Sequence, residues 1–169
     1  MPGDEELWSK LSRHDARAFE NFYLENCPRL RSFIKACVGS PQATDDVVQE
    51  TFLQLWKHPN GFNPARSTLK AYVFGIARKR AADWWRHHRP AGEPSPRPEA
   101  PVVEESFTLL LADAMGRLDP EARGVLWLRE MEGYSYEELA EVFEIPLGTV
   151  KSRLYAAREQ LRRVWNSGR

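Results

Sequence analysis

Cysteine is scarce in this chain. Cys27 and Cys37 are the two present in 169 residues, too few to build a disulfide framework. Both thiols are expected to stay reduced, as in the cytoplasm. There is no CxxC pair, no HExxH and no glycine-rich phosphate loop. His14, His58, His87 and His88 do not stand at zinc-ligand spacing with either cysteine. No apolar run approaches the ~20 residues that a membrane-spanning helix needs. The acidic start, MPGDEELWSK, lacks the basic and apolar regions of a signal peptide. Net charge is missing too, because 24 Lys and Arg balance 24 Asp and Glu. Hydrophobic residues make up 42% and charged residues 28%, an ordinary soluble composition. A wholly disordered, fibrous or membrane-spanning chain is thereby excluded, and the length suits one compact domain or two small ones. No metal, cofactor or small-molecule substrate is expected.

The neutral total hides segregation. Residues 1–56 carry −3, 57–89 carry +7, 90–105 carry −3, 106–150 carry −6 and 151–169 carry +5. Two basic stretches set among acidic ones suggest polyanion contact at two places, with binding weakened by the acidic segments. Ordinary solvated helix faces are the alternative on charge alone.

Arg89 to Ser106 holds five prolines, Pro90, Pro94, Pro96, Pro98 and Pro101. Each removes a backbone donor and disfavours helix before it. Residues 90–105 therefore read as a semi-extended, flexible linker able to reach at most roughly 50 Å. Both flanks read as helical, so an all-α chain of two small helical domains is expected, over 1–89 and 106–169. Helices are expected near 4–13, 15–38, 43–57 and 67–89, then near 106–116, 119–131, 135–144 and 149–165.

In the C-terminal unit, Ser135-Tyr136-Glu137-Glu138 has the capping-box pattern. Ile145-Pro146-Leu147-Gly148 then interrupts the helix. In the next one Val150, Leu154, Ala157, Leu161 and Val164 form a buried stripe. The other faces carry Lys151, Ser152, Arg153, Tyr155, Arg158, Arg162 and Arg163. A short helix, a tight turn and a basic amphipathic helix make a helix-turn-helix, whose second helix would enter the major groove by its first turns. The amides at Gly148 and Thr149 suit a phosphate.

In the N-terminal unit, projecting 67–89 as a helix places Leu69, Tyr72, Val73, Ile76, Ala77 and Trp84 on one arc. Ala71, Gly75, Arg78, Lys79, Ala82, Trp85, Arg86 and Arg89 fall on the opposite one. The first arc reads as packed and the second as a nucleic-acid face, with Trp85 exposed on it. Arg80 falls on the packed arc, its head expected to reach water. The polar loop at 58–66, with Asn60, Phe62 and Arg66, has the residue types that hold an unstacked base. In the helix before it, Val48, Phe52, Leu55 and Trp56 form the core stripe, while Asp46, Gln49, Glu50 and Leu53 share another face suited to a partner with basic helices. Asp46 and Glu50 also stand four apart, as a metal pair would, but no third carboxylate or histidine joins them at helical spacing.

TDDVVQETFLQLWKH, a short loop and STLKAYVFGIARKRAADWWR together resemble region 2 of bacterial sigma factors. LDPEARGVLWLREMEGYSYEELAEVFEIPLGTVKSRLYAAREQLRRVW resembles their region 4. The small size and the missing region 3 are similar to the extracytoplasmic-function branch of the sigma-70 family. Three positions depart from the family's usual pattern. Tyr72 stands where Trp is common, Lys79 where Asn is usual, and Ala156 where a basic residue is frequent.

The resemblance implies a non-enzymatic promoter-recognition subunit of bacterial RNA polymerase. The clamp helices of core polymerase would meet Asp46, Gln49, Glu50 and Leu53. The −10 element would be recognised and opened by Asn60, Phe62, Arg66, Arg78, Lys79, Trp85 and Arg86. The −35 element would be read by Gly148, Thr149, Lys151, Ser152, Arg153, Tyr155 and Arg158, in a domain that also contacts the polymerase flap. A cognate anti-sigma factor is implied as well. Two rival readings are a stand-alone helix-turn-helix regulator and, more remotely, a metal-dependent nuclease using Asp45, Asp46 and Glu50.

Overall fold

The computed structural model describes residues 3–88 and 114–167. The expected linker at 90–105 and most of the helix expected at 106–116 lie outside the described residues. Among the described residues there is no strand, as the sequence predicts.

The N-terminal half holds α1 (Asp4–Ser12), α2 (Ala16–Val38), α3 (Pro41–Lys57), a 3₁₀ turn (Pro59–Gly61) and α4 (Leu69–His88). The C-terminal half holds α5 (Pro120–Glu130), α6 (Tyr136–Phe143) and α7 (Leu147–Ser167). Local chemistry sets most boundaries. Asp15 accepts from the amides of Arg17 and Ala18 at the start of α2, Ser40 from Ala43 in α3, and Asp119 from Ala122 in α5. The Ser135–Glu138 capping box forms in both directions at α6. Gly39 ends α2 in the left-handed region, at φ 72°. One boundary is set from a distance, since Asp4 in α1 accepts from the amide of Leu69 at 3.0 Å and so holds the first turn of α4.

The last helix begins two residues before its expected start. Pro146 supplies the carbonyl that accepts from Thr149 and Val150. It stands just outside the helix, and Gly148 falls in the first turn, where neither residue breaks the ladder.

α4 is the centre of the molecule. It packs on α2 and α3 along one side and on α6 along another. α2 also packs on α5, so the two halves share one continuous core. Phe33 and Phe74 of the N-terminal half are fully buried, as are Leu118, Leu128 and Leu139 of the C-terminal half. Gly124 lets α5 approach closely: a Cβ there would meet Cys37 Sγ at 3.4 Å and Phe33 Cε2 at 3.5 Å.

Candidate nucleic-acid and polymerase interfaces

On α3, burial alternates as its stripe predicts. Val48, Phe52 and Leu55 are in the core, and Trp56 is half-buried against His14 and Phe19. Asp46, Gln49 and Glu50 are exposed together, with Leu53 still 42% exposed beside them. Next to this row runs an apolar groove between α2 and α3, lined by Phe19, Tyr23, Val48, Phe52, Leu53 and Trp56. Its rim carries the Arg31–Asp45 ion pair. Glu50 also lies 3.6 Å from Arg80. The Arg80 head reaches the half-exposed edge, where Nη2 donates to Gln54 Oε1 at 2.8 Å. Acidic and amide groups flanking an apolar groove fit a basic, amphipathic helical partner. Among the described residues no cluster of three or more His, Cys, Asp or Glu could hold a metal.

The −10 set divides. Asn60 and Arg66 are exposed on the loop. Phe62 is not: it is 6% exposed, edge-on to Trp8 at 5.1 Å and tilted on Tyr72 at 5.5 Å. The loop's aromatic is its anchor to α1 and α4. Burial also raises the Tyr72 phenol above its ordinary pKa. On α4, Arg86 is exposed and pairs with Asp83. Trp85 corrects the helical projection. It is 8% exposed, and its indole Nε1 donates to the carbonyl of Cys37 at 2.8 Å. Trp84 is the more open of the two, half-buried and stacked on His88. The projection assumed one packed side and one wet side, whereas α4 is covered on both.

The cover is α6. Arg78 Nε donates to the carbonyl of Val142 at 3.0 Å, and the guanidinium lies over Phe143. Lys79 meets the Glu144 carboxylate at 2.7 Å. That hydrogen bond holds the Glu144 carboxyl below the usual carboxylate range.

Sequence reasoning missed Arg123, which binds the halves from within. It is fully buried, donating from Nη1 to the Ala36 carbonyl at 2.8 Å and from Nη2 to Leu118 at 2.9 Å and Gly116 at 3.2 Å. Ala36 and Cys37 lie in the last turn of α2, whose carbonyls lack partners within the helix. Arg123 and Trp85 supply them. Burial lowers the Arg123 pKa and pushes the Cys37 thiol up to about 12, which leaves Cys37 a protonated core residue. At another edge of the interface Glu132 lies 3.9 Å from Arg29 and 3.6 Å from Lys70.

The recognition helix faces outward. Val150, Leu154 and Ala157 are buried, while Lys151, Ser152 and Tyr155 are exposed, Tyr155 to 70%. Gly148 is exposed and Thr149 half-exposed at the helix entry. Arg153 and Arg158 are partly engaged: Arg153 pairs with Glu121 at 3.0 Å and Arg158 with Glu130 at 2.8 Å, both on α5.

Comparison with known proteins agrees with this geometry. The Sigma-70 region 2 family model matches residues 22–90, and the Sigma-70, region 4 model matches residues 108–161. The ECF RNA polymerase sigma factor SigL of Mycobacterium tuberculosis is 31% identical over 157 residues, covering 88% of this chain and 89% of that protein. This chain belongs to the extracytoplasmic-function branch of the sigma-70 family. The RNA polymerase sigma-H factor of Pseudomonas aeruginosa is 28% identical over 177 residues, covering 94% of this chain and 91% of its own. Among solved structures, CnrH in complex with the cytosolic domain of CnrY superposes with a TM-score of 0.76 at 25% identity, covering 97% of each chain. RpoE in complex with the anti-sigma factor NepR from Bartonella quintana gives 0.74 at 26% identity, covering 89% of this chain and 98% of that one. The two sigma domains thus correspond to the two halves, with the helix-turn-helix of region 4 formed by α6 and α7. As a sigma factor the chain is a transcription-initiation subunit, acting with core RNA polymerase on promoter DNA. No helix among the described residues is long and apolar enough to cross a membrane.

Proposed function

We propose that residues 1–89 form the region 2 domain, 90–105 the linker and 106–169 the region 4 domain of a cytoplasmic sigma factor. In this reading the Asp46, Gln49, Glu50 and Leu53 face of α3 docks on the polymerase clamp helices. Asn60, Arg66, Arg78, Lys79 and Arg86 contact the −10 strand, with Phe62 and Trp85 as the packing that holds that surface in shape. Gly148, Thr149, Lys151, Ser152, Arg153, Tyr155 and Arg158 meet the −35 element, and the same domain contacts the flap. A cognate anti-sigma factor controls the chain, as the complex of the relative RpoE with NepR suggests.

The observation that carries this reading is the exposed polar row on α3 beside an apolar groove, on a helix whose Val48, Phe52 and Leu55 are already buried in the core. Nothing within the described fold uses Asp46 or Gln49 as core, so the row is available to a partner. The test is a holoenzyme pull-down with Asp46→Arg and with Glu50→Arg, followed by run-off transcription with core polymerase on genomic fragments. Either substitution should weaken core binding about tenfold or more while helicity is retained. Wild-type affinity in both variants would remove the assignment. A gel shift with and without core polymerase separates a sigma factor from a stand-alone regulator.

A further inference from the structure

Two large apolar side chains of α7 stand in solvent. Leu147, the first residue of the helix, is 38% exposed, and Tyr155 is 70% exposed. Neither belongs to the core or to the apolar residues packed against it. Lys151, also exposed, lies four residues from each, so the three side chains form one ridge along the helix. The rest of the first two turns offers little that could read a base by hydrogen bonding. The Ser152 hydroxyl turns back on its own helix, donating to the carbonyl of Gly148 at 3.2 Å or of Thr149 at 3.1 Å. Arg153 is drawn onto α5 by Glu121 at 3.0 Å. Guanine and adenine are read in the major groove by the donors and amides of Arg, Lys, Asn and Gln. Among the described residues 147–154 there is no Asn or Gln, and Lys151 is the one such cation left unengaged.

We infer that Leu147 is a specificity residue of the −35 reader: it packs on the C5 methyl of a thymine and so selects an A·T pair. The inference rests on the proposed assignment of α7 to the −35 element, and names the base chemistry that its first turn reads. The first turns of such a helix are the part that meets base edges. A leucine there has nothing to offer a phosphate. The thymine methyl is the apolar group that the floor of the major groove presents, and apolar side chains read it by contact. Lys151, one turn further on, meets a phosphate or a guanine, and Tyr155 extends the ridge. Leu147 and Tyr155 are separated by about 12 Å of helix rise, more than three base-pair steps of about 3.4 Å, so they reach different base pairs.

The experiment uses holoenzyme formed from the full chain and a fluorescein-labelled promoter duplex found by run-off transcription on genomic fragments. Each −35 thymine, on either strand, is replaced in turn by deoxyuridine, which loses the methyl and keeps every hydrogen-bonding group. For the wild-type chain one such replacement should weaken binding about three- to fivefold, as expected for one buried methyl. Leu147→Ala should bind the thymine and uracil forms of that position equally. Leu147→Met, of similar volume and apolar character, should keep the preference. Comparing the two duplexes within one variant removes any loss of folding, which would weaken both alike. A −35 element with no thymine, no replacement that matters, or a methyl preference that survives in Leu147→Ala overturns the inference. Lys151→Ala and Tyr155→Ala keep the two claims apart. If they weaken duplex binding while Leu147 shows no link to a methyl, the inference alone falls. If they leave binding unchanged, the assigned reading face falls with it, and a wild-type chain that supports no run-off transcription removes the sigma-factor reading itself.

Discussion

Two helices carry the basic stretches of this chain, and the fold treats them in opposite ways. α4 has its cations turned toward the other half of the molecule, where Val142 and Glu144 meet Arg78 and Lys79. α7 has Lys151, Ser152 and Tyr155 turned to water. Both read in sequence as an apolar stripe backed by a basic arc. The difference is that α7 lies at the edge of its domain and packs along one stripe, whereas α4 is central and packs on three neighbours. A basic arc shows which side of a helix its own domain leaves unpacked. It does not show whether another domain covers it.

The sharpest way to break this contrast is the pair of adjacent tryptophans on α4. Trp85→Ala removes a buried indole and its hydrogen bond to Cys37, and should cost about 3–5 kcal/mol of stability. Trp84→Ala trims a half-buried ring stacked on His88 and should cost less than about half of that. Denaturant unfolding of the two variants measures both. A larger loss at Trp84 than at Trp85 would show that the Trp85 indole is not seated on the end of α2 in solution, and that this arc of α4 is as open as its sequence predicts.

Arg123 tests the cover from inside. Arg123→Ala strips the Ala36, Leu118 and Gly116 carbonyls of their donor and opens a cavity, with an expected loss of about 3 kcal/mol or more. Arg123→Met refills most of the volume without the donors and should lose less, because the guanidinium's own desolvation is relieved. Equal losses in denaturant unfolding would mean that the carbonyl contacts, and not the packing, carry the joint.

What sequence could and could not show follows from the distance over which each feature acts. The capping box of Ser135 and Glu138 spans three residues and was legible in full. So was the alternation on α3, where Asp46, Gln49 and Glu50 are exposed as their spacing predicts. The phase of α4 was not, because its second side is buried by α6 at Arg78, 64 positions from Val142, and by the end of α2 at Trp85, 48 positions from Cys37. Arg123 was silent for the same reason, since Ala36 is 87 positions away. Phe62 was misread because a loop aromatic looks the same in sequence whether it waits for a base or packs on Trp8. The resemblance to sigma factors supplied the order of the domains, but not which faces the closed chain buries.

On α7 the same comparison predicts binding loss without stability loss. Lys151→Ala and Tyr155→Ala touch no buried stripe residue and should leave the melting temperature within about 2 °C of wild type. Each should weaken binding to a −35 duplex. A base contact would cost roughly 1–3 kcal/mol and relax preference at one position, whereas a phosphate contact would weaken all sequences alike. Titration of promoter and scrambled duplexes distinguishes these outcomes. Unchanged binding in both variants would move the reading face elsewhere on α7.

The smallest effect concerns Arg158. Its guanidinium is shared between the DNA side of α7 and Glu130 on α5, and that hydrogen bond raises the arginine's pKa. Both side chains are about half exposed, so the pair adds little stability, at most about 1 kcal/mol. Its larger consequence is for binding, since a cation held by a carboxylate must leave it, or share it, to meet a phosphate. Glu130→Gln keeps the shape and removes the competitor. It should tighten −35 duplex binding about two- to threefold at low salt, with the gain fading as salt rises. The gain should vanish in an Arg158→Ala background, because no cation is then left to release. If Glu130→Gln tightens binding equally with and without Arg158, the effect is one of net charge, and Arg158 is no part of the reading face of α7.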